Sequence, residues 1–192
     1  MTRVLILQGH PTPGGGHYGH ALGEAYGAGA RAAGHEVREI RTGDIDFPLI
    51  LSTEDWRTAA PPPAIAAAQE AILWAEHLVI FYPLWLGDVP AHFKGFLEQA
   101  IRPTLIGEID LSGKSGRRLA GRSVRIIVTM GMPGWFYRLY YRAHSLKSLS
   151  RNVLQFVGLG PVRTTVVGSV DRSPAHRIRW IERVRALGAR AA

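Results

Sequence analysis

The chain contains no cysteine among its 192 residues. Disulfides, thiolate metal sites and cysteine nucleophiles are therefore excluded, and a reducing compartment suits the composition. Long apolar runs are missing too. None approaches the roughly 20 residues that a membrane-spanning helix needs. The chain passes from Met1 straight into a strand-like run with no leader pattern, so a soluble, cytoplasmic protein is expected. There is no Gly-x-Ser-x-Gly elbow for a serine hydrolase and no pair of carboxylates at one strand end. His17 and His20 have no third ligand near them in sequence, so no metal site is expected. Repeats and linkers are absent as well, which at this length argues for one domain over residues 1–192.

Acidic residues are in short supply. Lys and Arg number 23 against 15 Asp and Glu, leaving a net charge of +8 that biases the surface toward anions. The bases gather in Arg117–Arg125, Arg138–Arg151 and Arg172–Arg190 without an unbroken block. A solvated basic surface is the reading this favours over nucleic-acid binding.

Five short stretches, some continuously apolar and some alternating, organise what is present. Arg3–Gln8, Glu36–Ile40, Leu78–Tyr82, Arg125–Thr129 and Val162–Val167 read as strands. Amphipathic or Ala-rich stretches between and after them read as helices, over Tyr18–Ala33, Ala64–Ala75, a segment opening at Pro90, Tyr137–Val157 and Ser173–Leu187. Thr42–Ala60 shows no clean period, and Ile109–Arg122 is polar and Gly-rich, a loop. Strands alternating with helices predict a doubly wound parallel sheet in the order 2-1-3-4-5, with helices on both faces. Ligand crevices of such sheets lie at the carboxyl ends of the strands.

Three loops fall there. Gly9-His10-Pro11-Thr12-Pro13-Gly14-Gly15-Gly16-His17-Tyr18 combines glycines, which let backbone approach closely, with a following helix N-terminus that favours anions. Pro83-Leu84-Trp85-Leu86-Gly87 follows the third strand, and Thr129-Met130-Gly131-Met132 the fourth. Two apparent motifs point elsewhere. Gly14-x-Gly16-x-x-Gly19 with Glu39 matches a dinucleotide fingerprint, but His10–Pro13 separates it from the strand it should turn off. Gly113-Lys114-Ser115 ends like a P-loop, yet Glu108 occupies the first glycine position.

The run Pro83, Leu84, Trp85, Gly87, Pro90, Ala91, Lys94, Gly95 and Phe96 resembles, in spacing and type, the flavin-ring segment of the flavodoxin-like NAD(P)H:quinone oxidoreductase family. The resemblance implies a flavoprotein enzyme holding FAD, with FMN possible. It places His10, Thr12, Gly16, His17 and Tyr18 around the flavin phosphates, although Gly16-His17 departs from the family's Ser and Asn. Pro83, Leu84, Trp85, Leu86 and Gly87 would hold the ring. Thr129, Met130, Gly131 and Met132 would offer N–H groups to its pyrimidine edge, with Met132 where the family has a second glycine. Tyr137 and His144 would be catalytic, bonding a quinone-like acceptor, at a spacing one residue longer than in the mammalian type. On one helix, Tyr137, Tyr140 or Tyr141, and His144 would share a face. Asp44–Ile50 resembles a segment that packs over the sheet, and Arg177 one that approaches the adenine half of FAD.

The implied reaction is ping-pong: NAD(P)H delivers hydride to flavin N5 over Trp85, then the acceptor stacks in the same slot. Arg117 and Arg122 lean toward NADPH. Family members are similarly dimers, so Phe136–Tyr141 would be partly covered by a second subunit. The net positive charge separates the chain from acidic electron-carrier flavodoxins. Two alternatives stay open: a flavin-binding regulatory partner of a potassium-efflux transporter, and a Rossmann-type NAD(P)-binding protein without flavin.

Overall fold

The computed structural model describes residues 1–106 and 117–192. β1 (Arg3–Gln8) leads through a glycine-rich loop to α1 (Tyr18–Ala32) and β2 (Glu36–Arg41). A 3₁₀ turn (Thr42–Asp44), α2 (Thr53–Thr58) and α3 (Pro63–Trp74) precede β3 (His77–Pro83), followed by α4 (Ala91–Ala100) and α5 (Pro103–Ile106). Then come β4 (Ser123–Thr129), α6 (Gly134–Leu139), α7 (His144–Ser148), a π-helical stretch (Leu149–Gln155), β5 (Val162–Val167) and α8 (Pro174–Gly188). The strands form one all-parallel sheet ordered β2-β1-β3-β4-β5, as the strand–helix alternation predicts. No helix among the described residues is long and apolar enough to cross a membrane.

The side-chain period of two divides the core. Leu78, Ile80 and Tyr82 of β3 face a cluster built with Ile65 and Ile72 of α3 and Phe93 and Phe96 of α4. Val79 and Phe81 face the other way, into a smaller cluster with Leu22 and Tyr26 of α1 and Val184 of α8. Burial on both sides makes β3 a continuous apolar run, and this is why it is legible as a central strand. On the second face α1 and α8 touch backbone to backbone. A Cβ at Gly29 would lie 2.0 Å from the Arg185 carbonyl oxygen, and one at Gly188 2.0 Å from that of Tyr26.

Two expectations need correction. α2 lies inside the stretch that lacks a clean period; all but one of its residues are exposed, which erases any apolar stripe. Its start is nonetheless written in Ser52 and Asp55: the Asp55 N–H donates to Ser52 Oγ at 3.0 Å. The helix expected over Tyr137–Val157 is broken instead. α6 ends at Leu139, and Arg142 and Ala143 both take φ of +50°, a left-handed conformation no right-handed helix can contain. Tyr137 and His144 therefore share no helical face. The Asp44–Ile50 segment packs largely on α4, with Phe47 against Phe96 (ring centroids 6.1 Å apart) and Gln99 Nε2 donating to Pro48 O at 2.6 Å. Glu108, Gly113-Lys114-Ser115 and most of the Ile109–Arg122 loop lie outside the described residues.

Candidate cofactor site

The loops after β1, β3 and β4 meet at the carboxyl edge of the sheet. Gly9 N–H still pairs with Phe81 O at 2.6 Å, so the first loop leaves the sheet only at His10. Gly14, Gly15 and Gly16 then run through φ of +75°, +86° and +84°, which side-chain-bearing residues rarely adopt. Asp44 pins this turn by accepting Gly14 N–H at 2.7 Å. Among the described residues, the N–H groups of His10, Gly15, Gly16, Tyr18 and Gly19 donate to no protein acceptor, and the space that a Cβ would fill at Gly14 and Gly16 is open. These donors ring the N-terminus of α1, a ready anion cradle.

Three histidines line it. His10 stacks on His17 with centroids 3.9 Å apart, and His20 lies 5.3 Å from His10. His20 becomes the third member only in space, since His10 is remote in sequence and the fold returns it. The tautomers follow from the backbone. Thr12 N–H donates to His10 Nδ1 at 3.2 Å and His17 N–H to His20 Nδ1 at 3.2 Å, so each neutral ring carries its proton on Nε2. Burial, reinforced by His17 and His20, lowers the His10 pKa to about 4. Burial followed by Arg41 and His17 lowers that of His20. Both rings are thus uncharged N–H donors at neutral pH. Among the described residues no group of three or more His, Asp and Glu has a metal-holding arrangement.

Arg41 is a residue that sequence reasoning passed over. Its Nη1 lies 3.3 Å from the place of a Gly15 Cβ, and Glu39 (3.1 Å) and Glu24 (3.7 Å) hold it. Glu39, a candidate ribose ligand under the dinucleotide reading, is committed to this ion pair.

The loop after β3 supplies a wall. Leu84 N–H donates to Thr129 O at 2.8 Å, extending the β3–β4 pairing past Pro83. Trp85 and Asp88 exchange two backbone hydrogen bonds of 2.9 Å around Leu86 (φ +47°) and Gly87 (φ +83°), a primed two-residue turn. Leu86 pays strain to sit there and is fully exposed, while Trp85 is 47% exposed. The Trp85 ring meets His10 edge-on at 5.5 Å, joining the wall to the cradle. Beyond β4, Met130 N–H is taken by Val167 O at 3.0 Å, whereas Gly131 and Met132 N–H donate to no described acceptor.

Other expected residues lie differently. The Tyr137 ring is 1% exposed; its hydroxyl meets Ser145 Oγ at 2.8 Å and accepts Leu146 N–H at 3.2 Å. It is turned into the core. His144 is exposed at the start of α7. Arg177 closes a latch: its carbonyl accepts the Tyr18 hydroxyl at 2.9 Å, and its guanidinium donates to Val170 O at 3.3 Å. Burial pushes the Tyr18 phenol up to about 12. Arg122 sits at the opposite, amino edge of the sheet, capping α3 through Leu73 O and Ala75 O, both at 2.9 Å. It cannot serve a nucleotide bound at the carboxyl edge.

The chain is 26% identical over 137 residues to an FMN-dependent NADH:quinone oxidoreductase of Nitratidesulfovibrio vulgaris, covering 65% of this chain and 61% of that relative. Among solved structures, an NAD(P)H:quinone oxidoreductase from Methanothermobacter marburgensis superposes with a TM-score of 0.80 at 23% identity, over 98% of this chain and 96% of the other. An FMN-dependent NADH-azoreductase from Bacillus anthracis in complex with FMN gives 0.75 at 16% identity, with 100% of both chains covered. At those identities the structural likeness shows the fold. A family model described as the flavodoxin-like fold matches residues 2–187, and the chain belongs to that family.

Proposed function

We propose that this protein is a flavin-dependent NAD(P)H oxidoreductase acting on a quinone or a similar flat acceptor, and that its flavin is FMN. The observation that carries the reading is the edge contact of His10 with Trp85, which brings N–H donors without an acceptor among the described residues and an exposed aromatic wall to the carboxyl edge of the sheet. The residues suit a flavin mononucleotide. His10, Thr12, Gly16, His17 and Tyr18 lie on the loop that would hold the phosphate. Pro83, Leu84, Trp85, Leu86 and Gly87 would flank the ring, with Gly131 and Met132 N–H at its polar edge; Thr129 and Met130 position that turn. When bound, the flavin supplies two-electron redox chemistry between a nicotinamide and the acceptor.

The chain's own part is orientation and electrostatics. Neutral His10 and His20 present N–H groups without the like-charge repulsion of paired imidazoliums. Gly131 and Met132 N–H groups, fixed by Val170 N–H donating to Met130 O at 3.2 Å, are placed to favour negative charge with no reorganisation. His144 is the exposed group available to an acceptor, and Tyr137 positions it by tying Ser145 and Leu146. FMN is preferred to FAD because the Arg177 side chain and carbonyl are both engaged in the Tyr18 latch. The relative named above is likewise FMN-dependent by name. Exposed Leu139 and Tyr140 on α6 support a homodimer in which a second copy covers them.

The test is a visible spectrum of purified protein with and without added FMN or FAD, followed by NADH, NADPH and then a quinone. The expected result is an FMN band that bleaches with one nicotinamide and returns with quinone. Failure to take up any flavin on reconstitution refutes the reading; retained nicotinamide binding would then favour the Rossmann alternative. Flavin uptake without turnover on any quinone would favour the transporter-partner role.

A further inference from the structure

Residues 111–170 contain ten Lys and Arg and no Asp or Glu, so more than the whole net charge of +8 arises there. Four of these cations converge away from the flavin edge. Arg138, Arg142, Lys147 and Arg151 line a groove of about 360 Å³ whose floor includes Thr164 of β5. None of the four makes a side-chain hydrogen bond or ion pair with any described residue. Like charges gathered without counter-charge repel one another, and an anion relieves the repulsion.

The groove continues. Arg138 also lines an adjoining cavity of about 630 Å³ walled by Trp135 and Trp180, with Val166 of β5 in its floor. Thr164 and Val166 are two apart on an edge strand, so they share one face about 7 Å apart. The two hollows therefore form one track along β5, roofed by α6. Trp180 is a fixed wall: Arg183 lies 5.2 Å over its ring and His176, anchored to Gly168 O at 3.0 Å, meets it edge-on. Trp135 is 65% exposed, and Phe136 is its one aromatic neighbour among the described residues. Phe136 itself stacks on Tyr140, on the other side of α6 from Trp135 and Arg138.

We propose that this track, which starts at Pro133 beside the Gly131–Met132 turn and runs away from the flavin edge along β5, is a second ligand site for a phosphorylated aromatic molecule of the nucleoside di- or triphosphate class. The base lies against Trp135 and Trp180, and the phosphates lie on Arg138, Arg142, Lys147 and Arg151. Its size suits a mononucleotide, and the pairing of a π-face with a multicharged tail matches an aromatic hollow beside a cationic one.

The experiment is calorimetric titration of the flavin-equilibrated protein with ADP, adenosine, tripolyphosphate and a dodecameric oligo(dT). Wild type, Arg142→Gln/Arg151→Gln and Trp135→Ala are compared, and all substituted residues are exposed. ADP is expected to bind at least tenfold more tightly than adenosine or tripolyphosphate. The double variant should weaken ADP at least tenfold and Trp135→Ala at least threefold. Unchanged ADP affinity in both variants overturns the proposal, as does no heat from ADP at millimolar concentration. Tripolyphosphate binding as tightly as ADP overturns it in favour of a bare anion patch. Oligo(dT) binding more tightly than ADP, and lost in the double variant, overturns it in favour of a single-stranded nucleic-acid surface. The visible spectrum reports the flavin separately, so failure here is distinguishable from failure of the flavin reading.

Discussion

Lowering the pH from 7.5 to 5 is expected to destabilise the apoprotein by about 2 kcal/mol through His77 alone. This histidine opens β3 on the α1 face and is 2% exposed. Its Nδ1 pairs with Ser123 Oγ at 2.8 Å, its Nε2 has no partner among the described residues, and the Tyr26 ring stacks at 6.3 Å. Burial first, then Arg125, Arg163 and His35, lowers its pKa from 6.5 to about 4. Because the folded pKa lies below the unfolded one, the unfolded chain binds the proton first as pH falls. Stability is therefore unaffected above pH 7 and is lost between about pH 6.5 and pH 4. A shift of about 2.5 units corresponds to about 3 kcal/mol in full, of which about 2 has gone by pH 5. His10 and His20 are lowered in the same direction, so the His77 share must be isolated. Urea unfolding of wild type and His77→Gln at both pH values does this. The wild type should lose about 2 kcal/mol more than the variant over the interval. Parallel pH dependence of the two proteins would refute the reasoning, whatever the variant's absolute stability.

Gly188→Ala should cost about 1–3 kcal/mol in urea unfolding, because its Cβ would lie 2.0 Å from a backbone carbonyl and α1 and α8 must part; a neutral result would mean that the two helices slide freely. Tyr137→Phe should lower stability by about 1–3 kcal/mol, since it strands the buried Ser145 hydroxyl and Leu146 N–H. The folded variant's turnover per bound flavin should change less than tenfold, and a larger fall in kcat at unchanged flavin content would restore Tyr137 as a catalytic donor. Arg177→Ala should leave the identity of the bound flavin unchanged, checked by the mass of the released cofactor, and a loss of flavin selectivity would reinstate a role at an adenine half.

β1, β3 and β4 were legible because burial on both faces writes them as short apolar runs, and β2 and β5, at the sheet edges, because β-branched residues recur between polar ones; the predicted bounds hold to within about two residues. The strand order followed from the alternation with helices. What stayed hidden was set by side chains distant in sequence. Arg41 reaches Gly15 only because β2 pairs beside β1, and His10 joins His17 and His20 only because the glycine turn doubles back. The break after Leu139 was hidden for another reason. Arg142 and Ala143 are ordinary helix formers, and no glycine or proline marks the left-handed turn there. The exchange that sustains it is local but made by one side chain: Ala143 N–H donates to Tyr137 O at 3.1 Å while the Tyr137 hydroxyl captures the start of α7.

That same break divides the chain's chemistry. The net charge of +8 suggests a cofactor site built on cations, yet the cradle at the carboxyl edge is made of backbone N–H groups and imidazoles, of which His10 and His20 are uncharged at neutral pH. The guanidinium beside Gly15, that of Arg41, is already balanced by Glu39 and Glu24. Such a site orders an anion by direction rather than by bulk charge, because each donor must point at an oxygen to count. The unbalanced cations are gathered instead around the helix break, on α6, the turn after it, α7 and the π-helical stretch that follows, above an edge strand. A continuous helix over Tyr137–Val157 would have spread Arg138, Arg142, Lys147 and Arg151 along its length. Folding it at Arg142 brings them around one hollow.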